Sequence, residues 1–168
     1  QFTFNGAANA FSGATDGNGN AITIWSGVTL NAIQASYYDG TLHAWGPALT
    51  VSNVATEPLM LSVAMDATGT GIALWREQGN GFIRASRFAS GVWTMTTPDP
   101  IDAVFPAIPA SQIMVSMNGS GGAVGAWVGA NGTEEHTSFF NPNNPAANLW
   151  GSVSNIGTAY SNSSVSYS

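Results

Sequence analysis

The sequence predicts an all-β fold made of four-stranded antiparallel blades of the β-propeller type, and three observations carry this prediction. The first is a repeat in which an Asp or Asn is followed by a Gly three residues later and by a Trp six residues after the Gly. The second is an alternation of side chains typical of strands within each copy. The third is a composition with 20 Gly and only 7% charged residues, which favours strands and turns over helices.

The repeat occurs three times, and all six tryptophans of the chain belong to it. The leading Trp stands at positions 25, 75 and 127, so successive copies are 50 and 52 residues apart, which is long enough for four short strands. The signature residues are Asp16, Gly19 and Trp25, then Asp66, Gly69 and Trp75, then Asn118, Gly121 and Trp127; a second Trp closes each copy at Trp45, Trp93 and Trp150. We expect one domain over 1–168, with repeats at about 11–58, 59–110 and 111–157.

The second repeat shows the order of elements that the other two follow. Leu61, Val63 and Met65 on one face alternate with Met60, Ser62 and Ala64 on the other, the period of two that a strand requires. In order, the predicted elements are a strand at 60–66, a turn at 67–69, a strand at 71–75, a hairpin turn at 78–81, a strand at 82–88 and a fourth strand from Val92. Each repeat is therefore predicted to be a four-stranded meander.

A single meander of this size cannot bury both of its faces, so such repeats stack face to face. Residues 72–75 are consecutively apolar, as expected when both faces of a blade are covered. Trp25, Trp75 and Trp127 are therefore predicted to be wedges between blades.

The leading Asp or Asn of each repeat has a structural interpretation, since side chains of this type hydrogen-bond to their own backbone in turns. The segment DGNGN from Asp16 resembles a calcium loop only faintly, because it lacks the closing Glu. His43 and His136 are the only histidines and occupy different positions in the repeat. We therefore predict no metal site and no cofactor.

The two ends of the chain do not form complete blades. Residues 165–168 align with the first strand of the repeats, so 163–168 is predicted to be one strand of a fourth copy. Three blades and a strand do not close a ring, and the chain begins at Gln1 without a Met. We expect either a piece of a longer propeller or a ring completed by self-association.

Charge excludes several classes of partner. The formal net charge is −6, and the three arginines all lie in the second repeat, which leaves no cationic surface for nucleic acid. No apolar run reaches 18 residues, so membrane insertion is not expected. The chain has no Cys, which excludes disulfides and zinc-thiolate sites.

The order of elements is a strand, a D-x-x-G turn, an apolar strand that ends in Trp, and a closing G-x-W. Over about 11–156, this order resembles the repeats of bacterial sialidase-like (Asp-box-like) β-propeller proteins. The Asp-box motif is S/T-x-D-x-G-x-x-W. Here the interval from Asp66 to Gly69 is one residue longer and that from Gly69 to Trp75 is three longer. The resemblance implies a bacterial protein that is secreted or at the cell surface.

Sialidases hold the substrate carboxylate with three arginines from different blades, and this chain cannot reproduce that arrangement. Arg84 and Arg87 fall on opposite faces of one predicted strand, and Arg76 lies in the neighbouring strand. The remaining carboxylate pairs, Glu134 with Glu135 in a predicted turn and Asp99 with Asp102 in a predicted loop, are interpreted as solvated acids. We therefore assign no catalytic residue and expect a protein that is not an enzyme.

Three functions remain open at this point. The first is an interaction scaffold whose neutral polar surface engages another protein or another copy of the chain. The second is a glycan-binding propeller, because aromatic faces beside amides and hydroxyls suit sugars; its predicted platforms are Tyr37, Tyr38, Trp45, Trp93 and Trp150. The third is a fragment of a sialidase-like glycoside hydrolase whose catalytic residues lie elsewhere.

Overall fold

A computed structural model describes residues 8–27, 30–53, 58–77, 79–95, 101–103, 112–129, 132–144 and 149–158. Within these ranges the chain forms fourteen β-strands and no helix, and hence no helix that is long and apolar enough to cross a membrane. The strands form three antiparallel sheets, which we call the first, second and third blades. The predicted fold class is confirmed.

The bounds of the strands follow the repeat. The first blade contains β1 (Ala8–Thr15), β2 (Ala21–Gly27), β3 (Leu30–Asp39), β4 (Ala44–Trp45) and β5 (Leu49–Asn53). The second contains β6 (Pro58–Met65), β7 (Gly71–Glu77), β8 (Phe82–Ala89), β9 (Val92–Met95) and β10 (Asp102–Ala103). The third contains β11 (Ile113–Met117), β12 (Ala123–Val128), β13 (Glu134–Phe140) and β14 (Ser154–Thr158). The predicted strand 163–168 lies outside the described residues.

The fourth position of each blade differs from the single strand that the sequence predicts. In the first blade β4 and β5 both pair with β3, in the second β9 and β10 both pair with β8, and in the third an isolated bridge at Trp150 precedes β14. In the first blade the interruption falls at Pro47. Proline has no backbone N–H, so it cannot continue the hydrogen-bond ladder.

The three turns that open the second strand of each blade have the same hydrogen bonds. Oδ1 of Asp16 accepts the backbone N–H groups of the residues two and four positions later, at 2.7 and 3.1 Å. The same distances are 2.8 and 3.0 Å at Asp66, and 3.0 and 2.9 Å at Asn118. Gly19, Gly69 and Gly121 have φ of 91°, 81° and 80°, a region that favours glycine. The repeated D-x-x-G pattern is thus a turn stabilised by its own side chain.

The blades bury two apolar clusters. The cluster between the first and second blades contains Ile22, Ile24, Ile33, Ala35, Val51, Leu61, Val63, Ala73, Trp75 and Phe88. The cluster between the second and third contains Ile72, Leu74, Ile83, Ala85, Ile113, Val115, Met117, Ala123, Trp127, Phe140 and Trp150. Leu61 and Val63 on β6 face the first cluster, whereas Met60 and Ala64 pack against the second. The alternation in β6 therefore serves two interfaces instead of one core and one solvent face.

The leading tryptophans are buried as predicted, but they do not share one environment. Trp75 and Trp127 are 0% and 3% exposed and belong to the two clusters between blades. Trp25 is 6% exposed and belongs to neither cluster. The interpretation as a wedge between described blades therefore applies to the second and third copies.

Backbone and hydroxyl groups also join neighbouring blades. The N–H of Val63 donates to Oγ of Ser12 at 3.2 Å, and one repeat later the N–H of Val115 donates to Oγ of Ser62 at 3.0 Å. Because the donor and acceptor positions are equivalent in both cases, the first strands of successive blades keep the same stagger.

Candidate functional site

A cavity of about 330 Å³ opens between the first and second blades, within the range of small-molecule sites. The first blade contributes Tyr37, Asp39, Leu42 and Trp45, and the second contributes Phe88 and Gly91. The cavity therefore exists only because two blades stack, and no single repeat could form it.

The end of β3 positions the polar side of this cavity. Tyr37 and Asp39 are two residues apart on a strand, so they point to the same face. Oδ1 of Asp39 accepts the backbone N–H groups of Thr41 and Leu42 at 2.8 and 3.0 Å. This turn reverses the chain and returns it as β4, which brings Trp45 alongside the cavity.

The aromatic side of the cavity rests on contacts between blades and within them. The rings of Tyr37 and Phe88 stack across the two blades, with centroids 5.4 Å apart and an angle of 29° between the rings. Within each blade an aromatic residue of the third strand packs against the closing Trp at 5.2 to 5.5 Å; the pairs are Tyr38 with Trp45, Phe88 with Trp93, and Phe140 with Trp150. The closing Trp of the repeat is thus half of a recurring aromatic pair.

The electrostatic environment of the cavity is acidic. Burial raises the pKa of the Tyr37 hydroxyl, and the negative charges of Asp16 and Asp39 raise this pKa further. The arginines lie elsewhere. Arg84 Nε contacts Glu77 Oε1 at 2.9 Å, and Arg76 is 3% exposed with a pKa lowered by burial. An anionic ligand would therefore meet a carboxylate in this cavity and no balancing cation among the lining residues.

The five predicted aromatic platforms do not form a repeated site. Tyr37 and Trp45 line the same cavity, and Trp45 is 43% exposed. Tyr38 packs against Trp45 without lining the cavity, and Trp93 is partly buried against the first cluster. Trp150 is only 3% exposed within the second cluster, so its ring has no open face for a ligand.

A second polar group lies between the second and third blades and corrects two sequence interpretations. Asp102 is in β10, and its Oδ2 accepts the indole N–H of Trp127 at 2.8 Å and lies 2.8 Å from Nδ1 of His136. Asp102 is therefore not a solvated loop acid, and Asp99, the other member of that predicted pair, lies outside the described residues. Glu134 and Glu135 begin β13 and are not in a turn, because they pair with Thr158 and Gly157 of β14.

This second group joins the second and third blades through side-chain contacts. Nε2 of His136 is 3.6 Å from Oε2 of Glu134, and a Cβ added at Gly129 would approach that nitrogen to 2.6 Å. The ring thus lies between two carboxylates and beside the backbone of Gly129, and it is partly exposed. In the described part of the chain His136 hydrogen-bonds to no hydroxyl that it could activate, and no three His, Asp or Glu side chains there could hold a metal ion.

Sequence reasoning missed both arrangements for the same reason. Tyr37 and Phe88 are 51 residues apart in the chain, and Asp102 and His136 are 34 apart. The alignment of the repeats identifies equivalent positions in the blades, but it does not show which residues meet between blades. No protein-family model and no curated protein sequence matches the chain.

Proposed function

We propose that this protein is a non-catalytic β-propeller scaffold whose open blade faces are covered by another copy of the chain or by further blades. The observation that carries the proposal is Phe11. It pairs with Trp25 as Leu61 pairs with Trp75 and Ile113 with Trp127. Leu61 and Ile113 are each 9% exposed between blades, whereas Phe11 is 76% exposed.

Neighbouring positions support the same reading of the first blade. Gly13 is exposed, while its equivalents Val63 and Val115 are buried between blades; Thr15 is exposed, while its equivalents Met65 and Met117 are partly buried and buried. Phe11 is the exposed apolar residue among these positions, and a large apolar side chain exposed where other copies have an interface is typical of a surface that has a partner. The first blade thus presents one half of an interface that the chain builds twice within itself.

The third blade presents the opposite half. Val124 is partly exposed, although the equivalent Ile22 and Ile72 are 1% and 0% exposed. Phe139, at the position equivalent to Tyr37, is 43% exposed. The open face of the first blade is equivalent to the faces that pack against a preceding blade, and that of the third blade is equivalent to the faces that pack against a following blade. Head-to-tail association of copies is therefore geometrically consistent with ring closure.

The solution mass of the protein tests the self-association arm of this proposal. A chain of 17.3 kDa should elute as a dimer or larger assembly in light-scattering chromatography. Phe11→Asp should reduce that mass, because it places a charge in the interface. Val92→Asp is the matched control, since Val92 is also exposed (60%) but lies on β9.

A stable 17.3 kDa monomer for the unsubstituted chain would contradict self-association, as would equal loss of mass in both variants. A longer mature chain in intact mass spectrometry would instead support coverage by further blades. These two outcomes separate the alternatives within the proposal.

A glycan-binding propeller is the second candidate, favoured by the surroundings of Trp45. Outside the cavity, this residue also borders a shallow groove beside Thr15 and Thr23, and Tyr38 packs against it. An aromatic face beside hydroxyls suits the apolar face and hydroxyls of a sugar. A glycan array tests this candidate. Retention of a sugar that is lost in Trp45→Ala would support it, and an array without signal would contradict it.

A further inference from the structure

The cavity between the first and second blades combines aromatic walls with a single carboxylate. Trp45 and Leu42 line it with exposed side chains (43% and 73%), and Tyr37 lines it while stacking on Phe88, whose ring is buried and packs behind Tyr37. Asp39 is the only charged residue among those that line it. A ligand of this cavity is therefore selected by one negative charge in largely apolar surroundings.

The carboxylate is oriented, and half of it is available. Its Oδ1 is held by the two turn N–H groups of Thr41 and Leu42. Within the described residues, Oδ2 of Asp39 takes part in no hydrogen bond or ion pair. Asp16 adds a second negative charge close enough to raise the pKa of the Tyr37 hydroxyl together with Asp39.

Three classes of ligand can be compared with these walls. A sugar would bring several hydroxyls to a lining that offers few acceptors, and each unpaired buried hydroxyl opposes binding. A metal ion would need several oxygen ligands, but the lining has one carboxylate. An organic cation whose charge is spread over methyl groups needs no hydrogen-bond partner, and both aromatic faces and a carboxylate attract it.

We infer that this cavity binds a quaternary ammonium group, of the kind carried by choline. The charge complementarity with Asp39 and the apolar, aromatic lining select this class over a neutral or anionic ligand. Trp45 also borders the groove beside Thr15 on the open face of the first blade, but Tyr37 and Asp39 lie in the cavity between the first and second blades, so the cavity is formed within one chain and does not require the proposed assembly.

The test uses choline and its neutral isostere 3,3-dimethyl-1-butanol, which has the same shape without the charge. We expect saturable binding of choline at millimolar concentrations in isothermal titration calorimetry with the full chain. The neutral isostere should bind roughly 10-fold more weakly, because it lacks the electrostatic attraction to the ring faces and the carboxylate. Equal binding of the two compounds, or no saturable binding of choline, would overturn the inference.

Two substitutions assign the effect to the cavity. Asp39→Asn keeps an oxygen for the two turn N–H groups, so the turn is retained while the charge is lost; choline binding should fall roughly 10-fold. Trp45→Phe should weaken binding less, since a smaller aromatic face remains. Glu134→Gln is the matched control, because it removes one negative charge from a partly exposed side chain in the third blade.

Each result of these variants decides the inference. Retained choline affinity in Asp39→Asn, or the same loss in Glu134→Gln, would overturn it by showing a general effect of net charge. Tighter binding of a methyl glycoside than of choline would overturn it in favour of a sugar. Unfolding curves for each variant confirm that a loss of binding occurs in a folded chain.

Discussion

The second and third repeats place equivalent residues at equivalent positions and yet treat their polar atoms differently. Trp75 and Trp127 are both buried between blades, but the indole N–H of Trp127 donates to Asp102 at 2.8 Å. Nε1 of Trp75 has no hydrogen-bond partner among the described residues. The repeat therefore decides which positions meet, and residues that differ between copies, such as Asp102, decide whether the polar atoms there are satisfied.

The buried serine of the third strand shows the same contrast. Oγ of Ser138 donates to the carbonyl of Gly151 at 2.7 Å, and Oγ of Ser36 donates to the carbonyl of Gly46 at 2.8 Å. Oγ of Ser86 is buried without a partner in the described part of the chain. A Gly follows the closing Trp in the first and third repeats, whereas Thr94 follows Trp93 in the second. The second blade is thus less completely hydrogen-bonded at two repeated positions.

The largest expected effect comes from removing a Trp wedge. Trp75→Ala should lower the free energy of unfolding by roughly 3 to 5 kcal/mol, because it opens a cavity where the side chain is fully buried. Denaturant titration measures this loss. A loss below about 1 kcal/mol would mean that the ring does not pack between blades, which contradicts the stacking described above.

Replacing each wedge by Phe sharpens the comparison, since the loss of volume is similar in both repeats. Trp127→Phe also removes a hydrogen bond to a carboxylate and should cost about 1.5 to 3 kcal/mol more than Trp75→Phe. Trp75→Phe removes an N–H that has no partner among the described residues. Equal losses in the two variants would show that the Asp102 contact contributes nothing to stability.

The serines give a smaller and independent measure of the same contrast. Ser138→Ala should lower the free energy of unfolding by about 1 kcal/mol, because it leaves the carbonyl of Gly151 without this donor. Ser86→Ala should be neutral or slightly stabilising, since it removes a buried hydroxyl without a described partner. Thermal unfolding of the two variants side by side measures the difference, and the reverse order would contradict it.

The smallest expected effect is a pH dependence that separates the first turn from the third. Burial raises the pKa of Asp16, but hydrogen bonds from the side chain of Asn20 and from the backbone N–H groups of Asn18 and Asn20 outweigh this and lower it overall. A carboxyl whose pKa is lower in the folded state stabilises the fold above its unfolded pKa of about 4 and loses that contribution as the pH falls.

Asp16→Asn should therefore be less stable than the unsubstituted chain near neutral pH, and the difference should shrink toward pH 3. The amide keeps the acceptor oxygen, as Asn118 does naturally in the third turn. Asn118→Gly is the control, because it changes the equivalent turn of the third blade without adding or removing an acid. Parallel stability profiles of Asp16→Asn and the unsubstituted chain between pH 7 and 3 would contradict the prediction.

The sequence by itself determined the elements whose causes are local in the chain. The turns at Asp16, Asp66 and Asn118 depend on a side chain that bonds to an amide two and four residues away, and the period of two in β6 assigns its faces directly. The order of the first three strands in each blade follows from short turns between apolar segments. These features need no knowledge of what lies across an interface.

Only the tertiary structure decided the features that depend on stacking. The cavity requires Tyr37 of the first blade to meet Phe88 of the second. The polar group between the second and third blades requires Asp102 to contact Trp127 and His136. It also decided that Trp45 is partly exposed while Trp150 is buried, although the repeat makes them equivalent. The physical reason is that a repeated motif encodes a blade, whereas the chemistry between blades is set by residues that the repeat does not constrain.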